Sequence, residues 1–281
     1  MNPPTRFLAI NGASLAVFEQ GSGAPVVFVH GAPSDYRTWI PHCAELSVRW
    51  RAISYSQRYF GTAPWGTDWP PFSMRLHADD LITLLQALDA GPAHVVAWSY
   101  GGHIALTAAV ERPELFRSLF VYEPGTPTYV SEATELAAIA DDASRLFGPV
   151  FAAVRAGDNE TAVRVLLDGS GERTGYFDSQ SVERRKIQRE NARVMSVLLS
   201  QPAPPALTSA QLASLRMPVA IRWGELTRPF FGVVSRAAAR CIGGRSHGAV
   251  ANAGHLWPEE DPAAFTREIE RFYRGSGTSF G

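Results

Sequence analysis

Residues 94–106, "HVVAWSYGGHIAL", decide how the chain is read. An apolar, β-branched run ends in a single serine, Ser99, and two glycines follow before a helical pattern begins. A strand-to-helix turn tight enough to push one side chain clear of a sheet leaves no room for bulk beside it. Ala97 lies two residues before Ser99, Gly101 two after and Gly102 next, so small residues stand where the turn needs them. This is the G-x-S-x-G nucleophile elbow with alanine in the first position. The plainer alternative is a serine that only N-caps an ordinary helix.

The elements around that turn alternate. "RFLAINGASLAVFEQG" predicts two strands joined at Asn11-Gly12. "APVVFVHG", "RWRAISYSQ", "HVVAWS", "SLFVYEP", "MPVAIRWGE" and "HGAVANAG" predict six more. "TWIPHCAELS" is a short helix candidate, and "SMRLHADDLITLLQALDA" carries leucines at helical spacing behind Ser73 as N-cap. "YGGHIALTAAVERP", "FFGVVSRAAARC" and "DPAAFTREIERFYRG" supply further helices. Strands alternating with helices imply an α/β fold with a mostly parallel sheet covered on both faces. From about Gly125 to Ser214 there are helical patterns and no convincing strand, notably "SEATELAAIADDASRLFGPVFAAV", "NETAVRVLLDG" and "SVERRKIQRENARVMSVLLSQ". The expected organisation is a core of residues 1–124 and 215–281 with residues 125–214 inserted as a helical cap. Its role is either a lid over the C-terminal edge of the sheet, where open α/β sheets bind ligands, or a peripheral insertion.

The elbow places Ser99 ahead of a helix whose first N–H groups have no intrahelical partner. The N–H of Tyr100 is then available to an oxygen that becomes negative when Ser99 attacks a carbonyl. A second donor is expected from the N–H of Ala32, in the loop after "VVFVHG", where Gly31 permits close approach. His30 is expected to fix that loop by hydrogen bonding. Serine needs a base. His255, in "VANAGHLWPEE", follows the last strand and is the candidate; His42, His77, His94, His103 and His247 fall in helices or at strand starts and read as structural.

"HGAP", "AWSYGG" and "AGHLWPEEDP", in that order and spacing, resemble the α/β-hydrolase fold family over nearly the whole chain except the inserted helices. The resemblance implies an eight-stranded sheet whose second strand is antiparallel, a helical cap after the sixth strand, Ser99 as nucleophile and His255 as base. It also implies an aspartate after the seventh strand, and there the chain departs: the stretch is "WGELTRP", with Thr227 at that position. A hydroxyl cannot stabilise an imidazolium by charge. Glu123, at the end of the sixth strand, and Glu225, after Trp223-Gly224, are the carboxylates nearby. Zearalenone-type lactone hydrolases are similar in carrying a glutamate at the strand end, so Glu123 is the favoured acid and Glu225 the alternative.

Serine at the elbow favours acyl transfer without metal or cofactor: hydrolysis of a carboxylic ester or lactone of a hydrophobic small molecule. Family members that open epoxides or alkyl halides use an aspartate there, and serine could not release an alkyl ether. Two alternatives use the same residues or none: carbon–carbon bond hydrolysis, perhydrolysis or cyclisation at the same site, and a non-enzymatic small-molecule receptor. Tyr36, Trp65 and Trp98 are the candidate substrate-binding aromatics, while Arg58 and Arg228 could meet a substrate carboxylate.

The chain has 281 residues, 46% hydrophobic and 19% charged, with 26 Lys+Arg against 27 Asp+Glu. Its formal net charge of −1 gives no footprint for nucleic acid or a membrane surface. Lys186 is the only lysine. Cys43 and Cys241 are far apart and fit no metal-ligand spacing, so both are expected as free thiols. "MNPPTRFLAINGAS" lacks the features of a signal peptide, and a cytoplasmic setting is the expectation. The inserted helices are also a candidate homodimer surface.

Overall fold

The computed structural model describes residues 5–244 and 246–275. Eight strands, β1 (Thr5–Ile10), β2 (Ala13–Gln20), β3 (Pro25–Val29), β4 (Arg51–Tyr55), β5 (Ala93–Trp98), β6 (Phe116–Tyr122), β7 (Val219–Gly224) and β8 (Gly248–Val250), form one sheet in the order β1-β2-β4-β3-β5-β6-β7-β8. β2 runs antiparallel to both β1 and β4, and the remaining pairs are parallel. Every residue of β3 and of β5 is buried, as continuous apolar runs require when both faces of a parallel sheet are covered.

The cover comes from α1 (Ile40–Leu46), α2 (Met74–Ala87), α3 (Tyr100–Glu111), α10 (Pro229–Ile242) and α12 (Pro262–Gly275). Ser73 caps α2, its side chain accepting from the N–H of Leu76 at 3.1 Å. In α12 the buried Phe265, Ile269, Phe272 and Tyr273 form a stripe at helical spacing, and the helix packs on α1.

Between β6 and β7 lie α4 (Ala133–Arg155), α5 (Asn159–Ser170), α6 (Tyr176–Ser179), α7 (Val182–Glu190), α8 (Met195–Leu199) and α9 (Ser209–Ala213). This is the cap region, although α9 packs on α3 and α10. α4 runs for 23 residues through Pro149. The stretch expected as one helical pattern over "SVERRKIQRENARVMSVLLSQ" is divided into α7, a 3₁₀ turn at Ala192–Val194, and α8. The physical reason is Asn191. Its side chain is fully buried, donating to Asp35 Oδ2 at 2.7 Å and accepting from the N–H of Gly61 at 2.6 Å. A side-chain amide committed to two groups of the core pins the chain where a straight helix would leave it.

A second anchor lies on the opposite end of the insertion. Arg228, just before α10, bonds Asp142 of α4 through Nε at 2.8 Å and a further nitrogen at 2.8 Å, and the N–H of Phe230 also donates to Asp142 Oδ2 at 2.9 Å. Arg58 is likewise committed, to Asp80 at 2.9 and 2.8 Å. Both guanidiniums are held in ion pairs inside the protein. Cys43 and Cys241 are free thiols. Among the described residues no helix is long and apolar enough to cross a membrane.

Candidate active site

β5, β6 and β8 end at the same edge of the sheet, and each releases one polar side chain there. After β5 the backbone at Ser99 adopts φ 55° and ψ −120°, a conformation that side-chain-bearing residues rarely hold. The N–H of Ser99 is fixed to the carbonyl of Tyr122 at 3.0 Å. The small neighbours are obligatory. A Cβ on Gly101 would lie 2.6 Å from the carbonyl oxygen of His30, and one on Gly102 would lie 2.9 Å from Val121 Cγ1. The alanine at the first motif position, Ala97, is fully buried within β5.

After β6, Glu123 also takes a positive φ, 48°, and its carboxylate is fully buried. Oε1 accepts from the N–H of Gly224 at 2.7 Å, and Oε2 accepts from the hydroxyl of Thr227 at 2.9 Å. After β8, His255 brings Nδ1 to 2.6 Å from Glu123 Oε2 and Nε2 to 3.0 Å from Ser99 Oγ. A carboxylate only accepts, so Nδ1 carries the ring proton and Nε2 accepts from the serine hydroxyl. The imidazole is held on its face by Phe231, stacked at 3.5 Å with 4° between planes. Its backbone carbonyl accepts from Trp98 Nε1 at 3.0 Å. The fold thus joins Ser99, His255 and Glu123 in one hydrogen-bonded row.

The other carboxylate stands elsewhere. Glu225 is exposed and accepts from the N–H of Asn252 at 3.2 Å. Thr227, where the family resemblance led us to expect an acid, is instead a hydroxyl donor to the acid from β6. That role was invisible in the sequence, since it depends on β6 and β7 being neighbours in the sheet.

His30 accepts from the N–H of Gln57 at Nε2, 3.1 Å, so its Nδ1 donates to the carbonyl of Gly31 at 2.8 Å. This bond holds the loop that carries Gly31 and Ala32 against the elbow, where a Cβ on Gly31 would come within 3.1 Å of Ser99 Cβ. Burial lowers His30 to about 4, His42 and His77 to about 3, and His94 and His103 to about 4.

A cavity of about 280 Å³ opens over Ser99 and His255. Ala32, Trp98 and Tyr100 lie in its wall, and cap residues Phe147, Val150 and Leu166 close it from above. Two of the aromatics singled out from sequence are not there. Trp65 donates from Nε1 to the carbonyl of Tyr59 at 2.7 Å and lies under the Arg193 guanidinium. Tyr36 accepts from Thr5 and faces a separate cleft with Arg58 and Trp69. Aromatic content in a loop does not say which side of the sheet edge a ring takes. The polar residues Ser34, Ser170, Gln188, Gln201 and Glu259 also line the cavity, and none of them was singled out from sequence; Glu259, on α11 (Trp257–Glu260), is the charged one and is buried in the wall.

The model of the alpha/beta hydrolase family matches residues 26–268. An epoxide hydrolase of Caballeronia sordidicola is 37% identical over 114 residues, 40% of this chain and 35% of that protein. A 2-(acetamidomethylene)succinate hydrolase of Mesorhizobium japonicum is 33% identical over 146 residues, 51% of each. The chain therefore spans about a third to a half of these relatives' length. Among solved structures, the enol-lactonase from Burkholderia xenovorans superposes with a TM-score of 0.73 at 17% identity, covering 95% of this chain and 99% of that one. A haloalkane dehalogenase loop variant from Bradyrhizobium elkanii gives 0.76 at 22%, covering 98% and 97%. These likenesses at low identity speak to the fold. With the matched family model spanning most of the chain and the sheet order and elbow described above, the chain belongs to the alpha/beta hydrolase family.

Proposed function

We propose that the protein is a serine hydrolase that cleaves a carboxylic ester or lactone of a hydrophobic small molecule through an acyl-enzyme. The observation that carries this reading is the hydrogen-bonded row Ser99–His255–Glu123 at the floor of a largely apolar cavity. Ser99 Oγ attacks the carbonyl carbon and its proton passes to His255 Nε2. The imidazolium so formed is stabilised by Glu123 through Nδ1–H, and Glu123 is kept in place by Gly224 and Thr227. The tetrahedral oxyanion is met by the N–H groups of Ala32 and Tyr100. Collapse expels the alcohol, which takes the proton from Nε2. Water, deprotonated by the same nitrogen, then attacks the acyl-enzyme and releases the acid and Ser99. For a lactone the alcohol and acid are one molecule.

In this reading residues 1–124 and 215–281 form the catalytic core, and residues 125–214 are the lid that excludes water from an apolar substrate. Relatives named for epoxides and haloalkanes share the fold, but an oxygen–alkyl bond formed at Ser99 would be an ether that the row has no means of opening. The test is turnover of activated p-nitrophenyl esters, lactones and ring-cleavage diketones by wild type and Ser99→Ala. Ester or lactone turnover lost in the variant is expected. Turnover of diketones alone would favour carbon–carbon hydrolysis, and no turnover of any of them would favour a receptor.

A further inference from the structure

One wall of the cavity departs from its apolar character. Glu259 is 5% exposed and shares the cavity with Ser99. Its Oε1 accepts from the hydroxyl of Thr38 at 3.1 Å and its Oε2 from Gln188 Nε2 at 3.3 Å. The neighbouring Glu260 has an ion-pair partner in Arg173 at 3.9 Å, whereas Glu259 has none among the described residues. Arg184 acts on it only from beyond ion-pair distance, and burial pushes its carboxyl above the ordinary value. A buried carboxylate without a cation is expensive unless something supplies one.

The hydrogen-bond directions around it point one way. Thr38 spends its proton on Glu259, so the short contact between Thr38 and Ser34 must use the proton of Ser34. Gln188 spends both amide hydrogens, one on Glu259 and one on Gln180 Oε1 at 2.9 Å, and its own oxygen accepts from Gln180 Nε2 at 3.0 Å. Ser34, Gln188 and Glu259 all line the cavity, and Glu259 also lines a second cleft on whose wall Arg184 lies, beyond ion-pair distance. With these donors committed inward, the corner presents only oxygen lone pairs and a negative charge to a ligand.

We propose that Glu259 is a specificity-determining residue that selects substrates carrying a cationic amine on their otherwise apolar framework. That the ligand is an ester rests on the acyl-transfer reading above; the corner's preference for an amine does not. A terminal ammonium reaching Glu259 would replace the missing ion-pair partner, a hydroxyl would satisfy the lone pairs without the charge, and a methyl would do neither.

The test is calorimetric titration of the full chain with phenylpropylamine, phenylpropanol and butylbenzene, ligands of nearly one shape with three different ends. The amine is expected to bind tightest, by ~10- to 100-fold over butylbenzene, with the alcohol between them. Glu259→Gln, which keeps the size of the side chain, should remove most of the amine's advantage. Equal affinities in wild type, an amine that does not bind, or an amine preference unchanged in Glu259→Gln would overturn the proposal. The wild-type series decides even if the variant does not fold. Because the readout is binding, a failure of ester turnover would count against the acyl-transfer reading alone.

Discussion

Glutamine in place of Glu123, with and without aspartate in place of Thr227, separates the charge of the acid from its address. The Glu123–His255 contact is 2.6 Å, and both side chains are almost wholly excluded from solvent. At an effective dielectric of about 20, two unit charges at that distance attract by about 6 kcal/mol. That energy is available only while His255 is an imidazolium, so it acts on the transition state. Glu123→Gln keeps the shape and part of the dipole, and kcat should therefore fall by ~10³- to 10⁴-fold with folding intact. Thr227 Oγ1 already bonds the same oxygen that His255 does, at 2.9 Å. An aspartate there carries a carboxylate into the neighbourhood of Nδ1 from the β7 side. Thr227→Asp alone should lower kcat, since two carboxylates in a buried site cannot both ionise freely. Combined with Glu123→Gln it should recover ~10-fold or more over the single variant. The assay is kcat and KM on one activated ester for wild type and the three variants, with thermal melts as the folding control. A Glu123→Gln enzyme of near wild-type kcat, or a double variant no better than Glu123→Gln, would be incompatible with Glu123 acting through its charge.

Ser99→Gly should raise stability in urea by about 1 kcal/mol, because relief of strain at φ 55° outweighs the entropy glycine adds to the unfolded chain; Ser99→Ala, which keeps the strain, should not. Phe231→Leu removes the ring stacked on His255 at 3.5 Å and should cut kcat ~10-fold with a smaller effect on KM, as a loosened imidazole would. Stability should fall as pH drops from 6.5 toward 4: His30, His42, His77, His94 and His103 resist protonation when folded, so the unfolded chain binds more protons in that window. Each contributes up to about 1.4 kcal/mol per pH unit, and a urea midpoint that is flat between pH 7 and 5 would contradict it.

What the sequence made legible was set by local sterics. The order of strands and helices followed from apolar period and turn residues, and the closeness of Ser99 to His255 followed from two motifs that end strands at one sheet edge. The preference for Glu123 over Glu225 came from the resemblance to lactone hydrolases with a glutamate at that strand end, and spacing alone left both carboxylates open; the structure places Glu123 against His255. What stayed hidden depends on contacts between segments distant in sequence. Thr227 donates to Glu123 across 104 residues, Asn191 breaks a helical pattern by bonding Asp35 across 156, and Glu259 enters the cavity through its bonds to Thr38 and Gln188. Trp65 failed as a cavity residue because a Gly/Pro-rich loop gives its rings no periodicity from which to read a facing direction, and Tyr36 because a 3₁₀ turn of four residues, Tyr36–Trp39, is too short to show a period.

Labelling the protein with a fluorophosphonate and locating the adduct by peptide mass identifies the nucleophile. Acyl transfer through the Ser99–His255–Glu123 row predicts one phosphonylated residue, Ser99, with labelling slowed by orders of magnitude in His255→Ala. An adduct on another residue, or labelling of Ser99 that does not depend on His255, would contradict it.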